Sequence, residues 1–363
     1  MKILFIITRA DVAGGAQLYL RDLASKLVEH RVMVLTGVKG KFNDVLANSK
    51  IESIACPTFK NNINPLEDWQ TLDFIKFTIR QFHPDLVVTH SSKAGILGRL
   101  ATKQCSVPSI FTAHGWSFTK GISEPKRTIY QWIEQWISSF TDQIICVSEY
   151  DIQLALRAGI EAHRLTKIYS GIQDISPNLR ASLSNSDPVK IIMTARFEPQ
   201  KDHQTLLMAL QGLTGVELNL LEDGPLMDKY QKMANDLGIA HCVKFLGFSP
   251  NVAEHLAQSQ IFVLITNWEG FPISTLEAMR AGLPTIVSDV NGCSEAIVEG
   301  ETGYVIPHGD VETLRSRLKT LISDPQLRIS MGNAARKRYE QHYTFEMMYE
   351  RTLEVYQQVV NSQ

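Results

Sequence analysis

The chain alternates between short apolar runs rich in β-branched residues and longer segments in which apolar residues recur at helical spacing. The runs form two successive series, the first at residues 2–8, 31–36, 85–89, 108–113, 143–148 and 165–169. The second series lies at residues 190–195, 216–221, 243–248, 261–265, 284–288 and 303–306. Strands that alternate with helices are typical of parallel, doubly wound sheets, so the pattern predicts an α/β protein.

The two series define the expected domains. A turn-forming sequence at residues 170–177 and a polar segment at 179–188 separate them. We therefore predict a first domain at residues 1–172, a linker at 173–188 and a second domain at 189–344. The final segment, 345–363, has apolar residues at helical spacing and is predicted to be a helix.

Length and composition agree with two domains. The 363 residues are 44% apolar and 20% charged, enough to bury two hydrophobic cores. No apolar stretch reaches the ~20 residues that span a bilayer, and the apolar start is too short for a signal peptide. The five cysteines are scattered without a C-x-x-C pair, which favours a reducing cytoplasm and argues against a zinc site or a disulfide framework.

The net charge of −2 is unevenly distributed along the chain. The first 180 residues have 21 Lys and Arg against 16 Asp and Glu, whereas the remainder has 15 against 22. A basic first half suits an anionic surface or substrate, and the alternative is that charge merely varies between the domains. With a slightly negative total, no nucleic-acid partner is expected.

The most informative stretch follows the apolar run at 261–265. The sequence E-G-F-P at 269–272 turns the chain, and a short helix is predicted from Ser274. Free N–H groups at a helix start suit a diphosphate. Glu277, about one turn into the helix, can accept hydrogen bonds from a ribose diol, and Glu269 lies at the carboxyl end of a strand, where α/β sheets bind ligands. Together they suit a sugar nucleotide, although both carboxylates could be merely solvated.

Residues 269–286 read E-G-F-P-x-x-x-L-E-A-M-x-A-G-x-P-x-I. This sequence resembles the E-x7-E signature of retaining glycosyltransferases of the GT4 type, and the match is long and specific. The resemblance implies a GT-B fold, in which two Rossmann-like domains face each other across a cleft. It also implies that the second domain binds the donor, that the first binds the acceptor, and that the final helix crosses back to the first. Main-chain groups of the loop are then expected to bind the donor, at Gly270, Phe271, Pro272 and Ile273.

Two further elements fit the same family. Arg196 and Lys201 stand five apart in A-R-F-E-P-Q-K-D, which is similar to the family's R-x-x-x-x-K element. Both are therefore expected to neutralise the leaving diphosphate. Gly14 and Gly15 come after the first predicted strand and before a helix, in the place of the family's glycine-rich loop. They are expected to lie near the donor diphosphate, because glycine lets the backbone approach a ligand closely.

Two motifs follow predicted strands of the first domain, H-S-S-K-A-G from His90 and A-H-G-W around His114. They resemble those of the subset that builds bacterial surface polysaccharides on a lipid-diphosphate carrier. His114 matches the family's cleft histidine, which would hydrogen-bond the donor sugar or stabilise charge; the alternative is a satisfied core histidine. On the acceptor side we expect His90, Lys93, Gln17 and Trp116, although an exposed lysine is often only solvated.

The second domain also carries a departure from the family pattern. Glu222 stands in L-E-D-G-P where a glycine is usual, so close approach of a ligand to the backbone is not expected there. Phe248, in F-L-G-F, belongs to a turn expected to bracket the nucleotide base through main-chain groups. Main-chain contacts leave little trace in a sequence, so the sequence does not identify the nucleotide base. We favour UDP over GDP as the nucleotide.

No D-x-D triplet occurs in the chain, which argues against a metal ion that bridges the diphosphate, and no other cofactor is expected. Cations and helix N-termini would instead stabilise the charge that develops on the leaving group. Glu269 is assigned to positioning the donor sugar. The other predicted catalytic residues are His114, Arg196 and Lys201.

One segment of the first domain has tryptophans at helical spacing. Its apolar residues are Ile129, Trp132, Ile133, Trp136, Ile137 and Phe140, and the basic residues Lys120, Lys126 and Arg127 precede them. We favour a helix whose apolar residues face the core. The alternative is an interfacial helix whose tryptophans enter the headgroup region of a membrane beside the basic residues.

The sequence therefore predicts a metal-independent, retaining glycosyltransferase. It would move a sugar from a nucleotide-diphosphate sugar to a lipid-diphosphate-linked saccharide, in the cytoplasm at the inner face of the membrane. The nearest alternative is a transferase with a soluble acceptor such as a sugar phosphate or free sugar. Less favoured are a non-catalytic sugar-binding protein of the periplasmic type, which needs an export signal, and a nicotinamide dehydrogenase, which needs G-x-G-x-x-G after a strand.

Overall fold

The structure is a computed structural model that describes residues 1–12, 14–119, 122–183 and 187–362. The chain divides into two compact units. Unit 1 comprises Met1–Ser170 and Met348–Gln363, and unit 2 comprises Gly171–Met347. Lys120 of the predicted basic flank and residues 184–186 of the predicted linker lie outside the described residues.

Unit 1 is built on a parallel sheet whose strands, in order across the sheet, are β3-β2-β1-β4-β5-β6-β7. In the described part of the chain these strands are β1 (Lys2–Ile7), β2 (Arg31–Thr36), β3 (Glu52–Ala55), β4 (Leu86–His90), β5 (Ser109–Ala113), β6 (Gln143–Cys146) and β7 (Leu165–Lys167). The helices that connect them are α1 (Gly15–Lys26), α2 (Lys41–Asn48), α3 (Pro65–Phe82), α4 (Ser92–Cys105), α5 (Glu124–Ser138) and α6 (Glu149–Arg157).

Unit 2 has a second parallel sheet, in the order β10-β9-β8-β11-β12-β13. Its strands, again among the described residues, are β8 (Val189–Thr194), β9 (Val216–Leu221), β10 (Val243–Gly247), β11 (Ile261–Leu264), β12 (Thr285–Ser288) and β13 (Gly303–Ile306). Its helices are α7 (His203–Leu210), α8 (Met227–Asp236), α9 (Val252–Ala257), α10 (Ile273–Ala281), α11 (Val311–Ser323) and α12 (Pro325–His342).

Both sheets reverse their direction of growth beside their first strand. In unit 1 the chain proceeds from β1 to β3 at one edge and then returns to place β4 on the other side of β1. In unit 2, β8, β10 and β11 repeat this reversal. Connecting loops diverge at such a switch point and leave a crevice at the carboxyl ends of the strands, where α/β proteins bind ligands. The crevices therefore lie at β1 and β4 in unit 1 and at β8 and β11 in unit 2.

The predicted strands are all present, with ends no more than two residues from the predicted positions. Their apolar runs are continuous because interior parallel strands are covered on both faces, and β4, β5, β11 and β12 are buried at every position. The sequence did not predict β3. This strand lies at the edge of its sheet and is half exposed, so it needs no apolar run.

The last helix, α13 (Phe345–Asn361), begins at the end of unit 2, and its residues from Met348 onward belong to unit 1. Tyr356 is fully buried, with its ring 6.4 Å from that of Phe5 on β1. The ammonium of Lys26, at the end of α1, lies 6.0 Å from the centre of the Tyr349 ring. The helix thus contributes to the core of unit 1.

The prediction that α5 turns its tryptophans towards the core is wrong. Trp132 and Trp136 are 67% and 48% exposed, whereas Ile137 on the same helix is fully buried. Glu134 accounts for this orientation. It is 1% exposed, and its Oε2 accepts a hydrogen bond of 2.6 Å from Nη2 of Arg99 on α4, which is itself fully buried. Because a buried charge needs a partner, this ion pair determines which face of α5 points inward.

Candidate functional site

The crevice of unit 2 is formed by the two loops that leave β8 and β11. Arg196 lies two residues beyond the end of β8, and Glu269 lies five residues beyond the end of β11. The loops are joined to each other. Lys201 and Thr266 form an antiparallel bridge, and the side-chain amide of Asn267 donates to the carbonyl of Pro199 at 2.9 Å. Two motifs that are distant in sequence therefore make one continuous structure.

Glu269 is held by three neighbours on these loops. Its carboxylate forms an ion pair with the ammonium of Lys201, and the two side chains are 9% and 14% exposed. Gln200 donates from Nε2 to Oε2 at 3.2 Å, and the hydroxyl of Thr266 donates to Oε1 at the same distance. A nearly buried carboxylate engaged from several directions is fixed in position before a ligand arrives.

Arg196 is the more accessible of the two predicted cations. Its side chain is 35% exposed, and Nη1 donates to Oε1 of Glu198 at 2.8 Å. Exposed ion pairs contribute little free energy, so an anion can replace Glu198 at small cost. Arg196 is thus available to a diphosphate, whereas Lys201 is committed to Glu269.

Helix α10 starts without a side-chain cap. Pro272 occupies the N-cap position and supplies no side-chain acceptor, so the first N–H groups of the helix remain suited to an anion. Gly270 and Phe271 form the preceding turn. Phe271 is 6% exposed and its ring lies 5.5 Å from that of Tyr343, so its side chain packs in the core. Gly282 ends the helix with φ of 82°, a conformation that favours glycine.

Two carboxylates of this crevice, those of Glu277 and Glu222, interact electrostatically. Burial raises the pKa of Glu277, the Arg280 guanidinium lowers it, and the Glu222 carboxylate raises it. Burial likewise raises the pKa of Glu222, and Arg196 opposes that rise. Glu222 is therefore in electrostatic range of the predicted ribose-binding carboxylate, Glu277, and of the predicted diphosphate-binding cation, Arg196.

Glu222 keeps the backbone conformation that glycine adopts. Its φ is 120°, and its N–H donates to the carbonyl of Gly247 at 2.9 Å. Holding a residue with a side chain in this region costs about 1–3 kcal/mol. The backbone path thus follows the glycine-type turn, and the side chain is the real departure from the family pattern. Phe248, directly after Gly247, is 63% exposed and leaves an aromatic face open to a ligand.

The crevice of unit 1 contains a pair of histidines. His90 is the last residue of β4 and is fully buried, and His114 follows the neighbouring strand β5. Nδ1 of His90 lies 2.9 Å from Nε2 of His114, and the stacked rings have centroids 5.2 Å apart. Tyr19 on α1 meets the His114 ring edge-on at 4.9 Å. At the switch point, the hydroxyls of Thr8 and Ser91 are 3.0 Å apart.

The groups of this crevice are uncharged at neutral pH. Burial lowers the pKa of His114 to about 4. Burial, and then the neighbouring His114, lower the pKa of His90 well below its usual value. Burial raises the pKa of Tyr19 to about 12. Neutral polar groups of this kind suit hydroxyls better than phosphates.

Gly14, Gly15 and Gln17 lie at the start of α1. Gly14 is the N-cap residue, with φ of −85°, a conformation open to any residue. A Cβ at Gly14 would lie 3.3 Å from Oε1 of Gln17. Gln17 is 7% exposed and donates to the carbonyl of Arg9 at 3.1 Å, so it stabilises the loop that leaves β1. The donor and acceptor roles of these residues stay predictions.

Lys93 and Trp116 have structural partners. Nζ of Lys93 lies 2.5 Å both from Oδ1 of Asp68 and from the carbonyl oxygen of Asn62. Trp116 is 3% exposed and donates its indole N–H to the carbonyl of Asp151 at 2.9 Å. Trp116 is therefore a core residue and Lys93 shares its charge with a carboxylate, while their predicted acceptor roles stay untested.

Sequence reasoning did not identify Gln200, Thr266 and Tyr19 as parts of these crevices. Thr266 comes soon after an interior strand, and Gln200 directly precedes Lys201. Their closeness in sequence to predicted site residues was the one signal that could have identified them. Tyr19 lies in the helix predicted after Gly14 and Gly15, and no local pattern marked it as part of a site. Within the described residues, no three His, Cys, Asp or Glu side chains converge so as to hold a metal ion. No helix in the described part of the chain combines the length and the apolar character that crossing a membrane requires.

Two family models match the chain, and together they cover most of it. Residues 13–174 match the model for glycosyltransferase family 4. Residues 174–338 match the model for glycosyl transferases group 1.

Individual relatives and a solved structure agree with these models. The chain is 28% identical over 321 residues to UDP-Gal:alpha-D-GlcNAc-diphosphoundecaprenol alpha-1,3-galactosyltransferase of Escherichia coli, covering 82% of this chain and 81% of that protein. It is 26% identical over 367 residues to N-acetyl-alpha-D-glucosaminyl L-malate synthase of Bacillus anthracis, covering 94% and 93%. HepE of Anabaena, solved in complex with UDP and glucose, has a TM-score of 0.87 at 22% identity, covering 99% of this chain and all of that one. The predicted GT-B fold, built from two Rossmann-like domains, is confirmed.

Proposed function

Because the chain belongs to the glycosyltransferases of family 4 and group 1, it is a glycosyltransferase, and we propose that its donor is a UDP-sugar. Unit 2 binds the nucleotide diphosphate at the switch point of its sheet, and unit 1 binds the acceptor. The sugar is transferred to a lipid-diphosphate-linked saccharide during synthesis of a bacterial surface polysaccharide. Transfer proceeds with retention at the anomeric carbon and without a metal ion.

One observation carries the donor proposal: an available cation, an uncapped helix start and a fixed carboxylate lie at the same switch point. Arg196 and the first N–H groups of α10 neutralise the diphosphate, as anion sites at helix starts do in other proteins. Glu277 accepts hydrogen bonds from the ribose. Glu269, held by Lys201, positions the sugar. The UDP bound to the structurally similar HepE supports the choice of nucleotide.

The chemistry follows from charge stabilisation. As the bond between the anomeric carbon and the phosphate oxygen breaks, negative charge grows on the diphosphate, and Arg196 and the α10 amides stabilise it, while Lys201 holds Glu269. The acceptor hydroxyl attacks from the face that the diphosphate leaves, and a phosphate oxygen takes its proton. The protein therefore needs no covalent nucleophile, and Glu269 and His114 act by holding the sugar.

The lipid-linked acceptor is supported by the E. coli relative, whose name specifies a diphosphoundecaprenol-linked sugar. An acceptor of this kind requires contact between unit 1 and the cytoplasmic face of a membrane. Helix α5 has the surface for it. Ile129, Trp132 and Trp136 are all about half exposed or more and share one face, and the exposed Lys126 lies at the start of the helix. Tryptophans next to basic residues are typical of helices at the membrane interface.

Vesicle flotation tests the membrane contact. We expect the wild type to float with vesicles of anionic phospholipid and the double variant Trp132→Ala/Trp136→Ala to remain in the soluble fraction. Trp69→Ala is the matched control, because Trp69 is 61% exposed on α3 of the same unit. Equal flotation of the double variant and the wild type would contradict a role for α5.

A soluble acceptor is the second candidate. The relative from Bacillus anthracis is named for L-malate, a water-soluble acceptor, and it aligns with nearly the whole chain. Turnover on free sugars, sugar phosphates or malate at rates above those on the lipid-linked substrate would favour this candidate.

Donor and acceptor are tested in sequence. Thermal-shift titration with UDP, GDP and ADP should show the largest stabilisation by UDP, and hydrolysis of a panel of UDP-sugars should then identify the sugar. Transfer from that donor to an undecaprenyl-diphosphate sugar, followed by mass and anomeric analysis, completes the test. No stabilisation by any nucleoside diphosphate would overturn the proposal.

A further inference from the structure

The hydrogen bond between the two histidines constrains where their protons lie. Nδ1 of His90 and Nε2 of His114 are 2.9 Å apart, so one of these nitrogens donates and the other accepts. Each neutral imidazole carries one N–H. Burial keeps both rings neutral at pH 7, as the lowered pKa values of His90 and His114 indicate. The pair therefore shares one proton in the bond and has one further proton elsewhere.

Two arrangements satisfy this count. In the first, His90 donates from Nδ1, its Nε2 carries no proton, and the proton of His114 is on Nδ1. In the second, His114 donates from Nε2, its Nδ1 carries no proton, and the proton of His90 is on Nε2. The first arrangement makes the outer nitrogen of His114 a hydrogen-bond donor, and the second makes it an acceptor.

The surroundings of His90 distinguish the two. His90 is fully buried, and its Nε2 has no hydrogen-bond partner among the described residues. A buried N–H without a partner is rarer in proteins than an incompletely satisfied acceptor. The second arrangement places an N–H at this position, whereas the first leaves only a lone pair there. The rings of Phe5 and Tyr19, at 5.8 and 6.0 Å, offer no strong acceptor to such an N–H.

We propose that His90 is a positioning residue that holds His114 in the tautomer protonated on Nδ1, so that His114 donates a hydrogen bond to an oxygen of the bound sugar. The part concerning the sugar rests on the proposed function. The assignment of the tautomer rests only on the histidine pair and the side chains packed around His90. His114 is partly exposed, and no residue in the described part of the chain bonds its Nδ1, so this nitrogen is left for a ligand.

This tautomer defines the direction of the hydrogen bond between His114 and the sugar. A sugar hydroxyl that meets His114 accepts its hydrogen bond and remains free to donate to another group. His114 in this state cannot remove a proton through Nδ1, so it acts by orientation, in agreement with proton transfer to the leaving phosphate. His90 never touches the sugar and acts through the shared hydrogen bond.

Nitrogen-15 NMR of the histidine side chains tests the tautomer directly, without any substrate. In wild-type protein at pH 7, we expect His114 to show a protonated Nδ1 and an unprotonated Nε2, with His90 protonated on Nδ1. Signals are assigned with single substitutions at each histidine. A protonated Nε2 on His114 as the major form would overturn the proposal, whatever the enzyme's activity.

Two variants test the positioning role. His90→Asn can keep a donor near the position of Nδ1, and His90→Leu removes it. We expect His90→Leu to move His114 towards the Nε2-protonated tautomer and to raise KM for the sugar donor about tenfold, the effect of one lost hydrogen bond. His90→Asn should keep the wild-type tautomer and recover part of that loss. An unchanged KM in His90→Leu with the tautomer altered would overturn the positioning role, and a fold check by circular dichroism accompanies each variant.

Discussion

The switch points of the two units share one strand order and differ in chemistry. In unit 2, the segments that follow β8, β9 and β11 carry the cation Arg196, the ion pair of Lys201 and Glu269, and the carboxylates of Glu222 and Glu277, with Arg196 about one-third exposed. In unit 1, the corresponding crevice at β1 and β4 carries hydroxyls and two neutral imidazoles, with His90 fully buried. Topology thus fixes where a ligand binds, and the loop residues decide whether that place suits a charged or a neutral part of it.

Substitution of Glu269 and Glu277 should distinguish a residue that positions the donor sugar from one that binds the donor. We expect the Glu269 variant to show the largest loss of activity among these predictions. Glu269→Gln disturbs a carboxylate held by Lys201, so we expect kcat to fall on the order of 100-fold, as small misplacements of reacting groups do. Glu277→Gln should mainly raise KM for the donor. Steady-state kinetics with both variants measures this, and Glu312→Gln, at an 80% exposed position of the same unit, is the control. The reverse pattern would exchange the two roles.

Arg196 should contribute to the affinity for the diphosphate part of the donor and not to the affinity for the nucleoside. We expect Arg196→Ala to weaken UDP binding roughly tenfold or more, because a charge-assisted bidentate contact is lost, and to leave uridine binding unchanged. Calorimetric titration of both ligands provides the measurement. Lys232→Ala, which removes an exposed charge on α8, is the control. Equal losses for UDP and uridine would place the diphosphate elsewhere.

The neutral histidine pair of unit 1 should make stability depend on pH. Because the folded pKa of His114, about 4, lies below its ordinary value of 6.5, its contribution is present above pH 6.5 and is lost as pH falls towards 4. We expect a loss on the order of 1–2 kcal/mol in the free energy of unfolding, allowing for solvent screening. Urea denaturation across this range should show a weaker pH dependence for His114→Gln, with His241→Gln, an exposed histidine, as the comparison. Identical curves for wild type and His114→Gln would contradict the buried, neutral pair.

Glu222 should reveal the cost of a carboxylate in the charged crevice. Glu222→Gly relieves the φ of 120°, so we expect a gain of about 1 kcal/mol in stability after the entropic cost of glycine. It also removes a negative charge that acts on Arg196 and Glu277, so UDP should bind slightly more tightly. Lys50→Gly, which relieves a positive φ in unit 1, is the control and should leave UDP affinity unchanged. Loss of stability in Glu222→Gly would show that the side chain itself supports the turn.

The two crevices also differ in how far the sequence predicted them. Arg196, Lys201, Glu269 and the α10 loop were recognisable because their elements are contiguous in sequence and follow apolar strands. The pairing of His90 with His114 depends on β4 and β5 being neighbours, so the two residues were predicted separately and their contact was not. Their hydrogen bond follows from the sheet order and from no local pattern.

Helix α5 shows what a periodic pattern omits. Its apolar residues indicated an amphipathic helix, and the segment is a helix over Glu124–Ser138. The predicted orientation of the helix was wrong because Glu134 pairs with Arg99, which lies 35 residues earlier. A helical pattern contains no information about such a distant partner. The ion pair of Lys93 was not predicted for the same reason, since its partner Asp68 belongs to the preceding helix.

A crystal structure of the protein with UDP tests the central claim, that unit 2 binds a nucleotide diphosphate at its switch point. We expect the diphosphate within hydrogen-bond distance of Arg196 and of the first N–H groups of α10, with the ribose diol at Glu277. UDP bound at any other surface, with Arg196 still paired to Glu198, would contradict the claim.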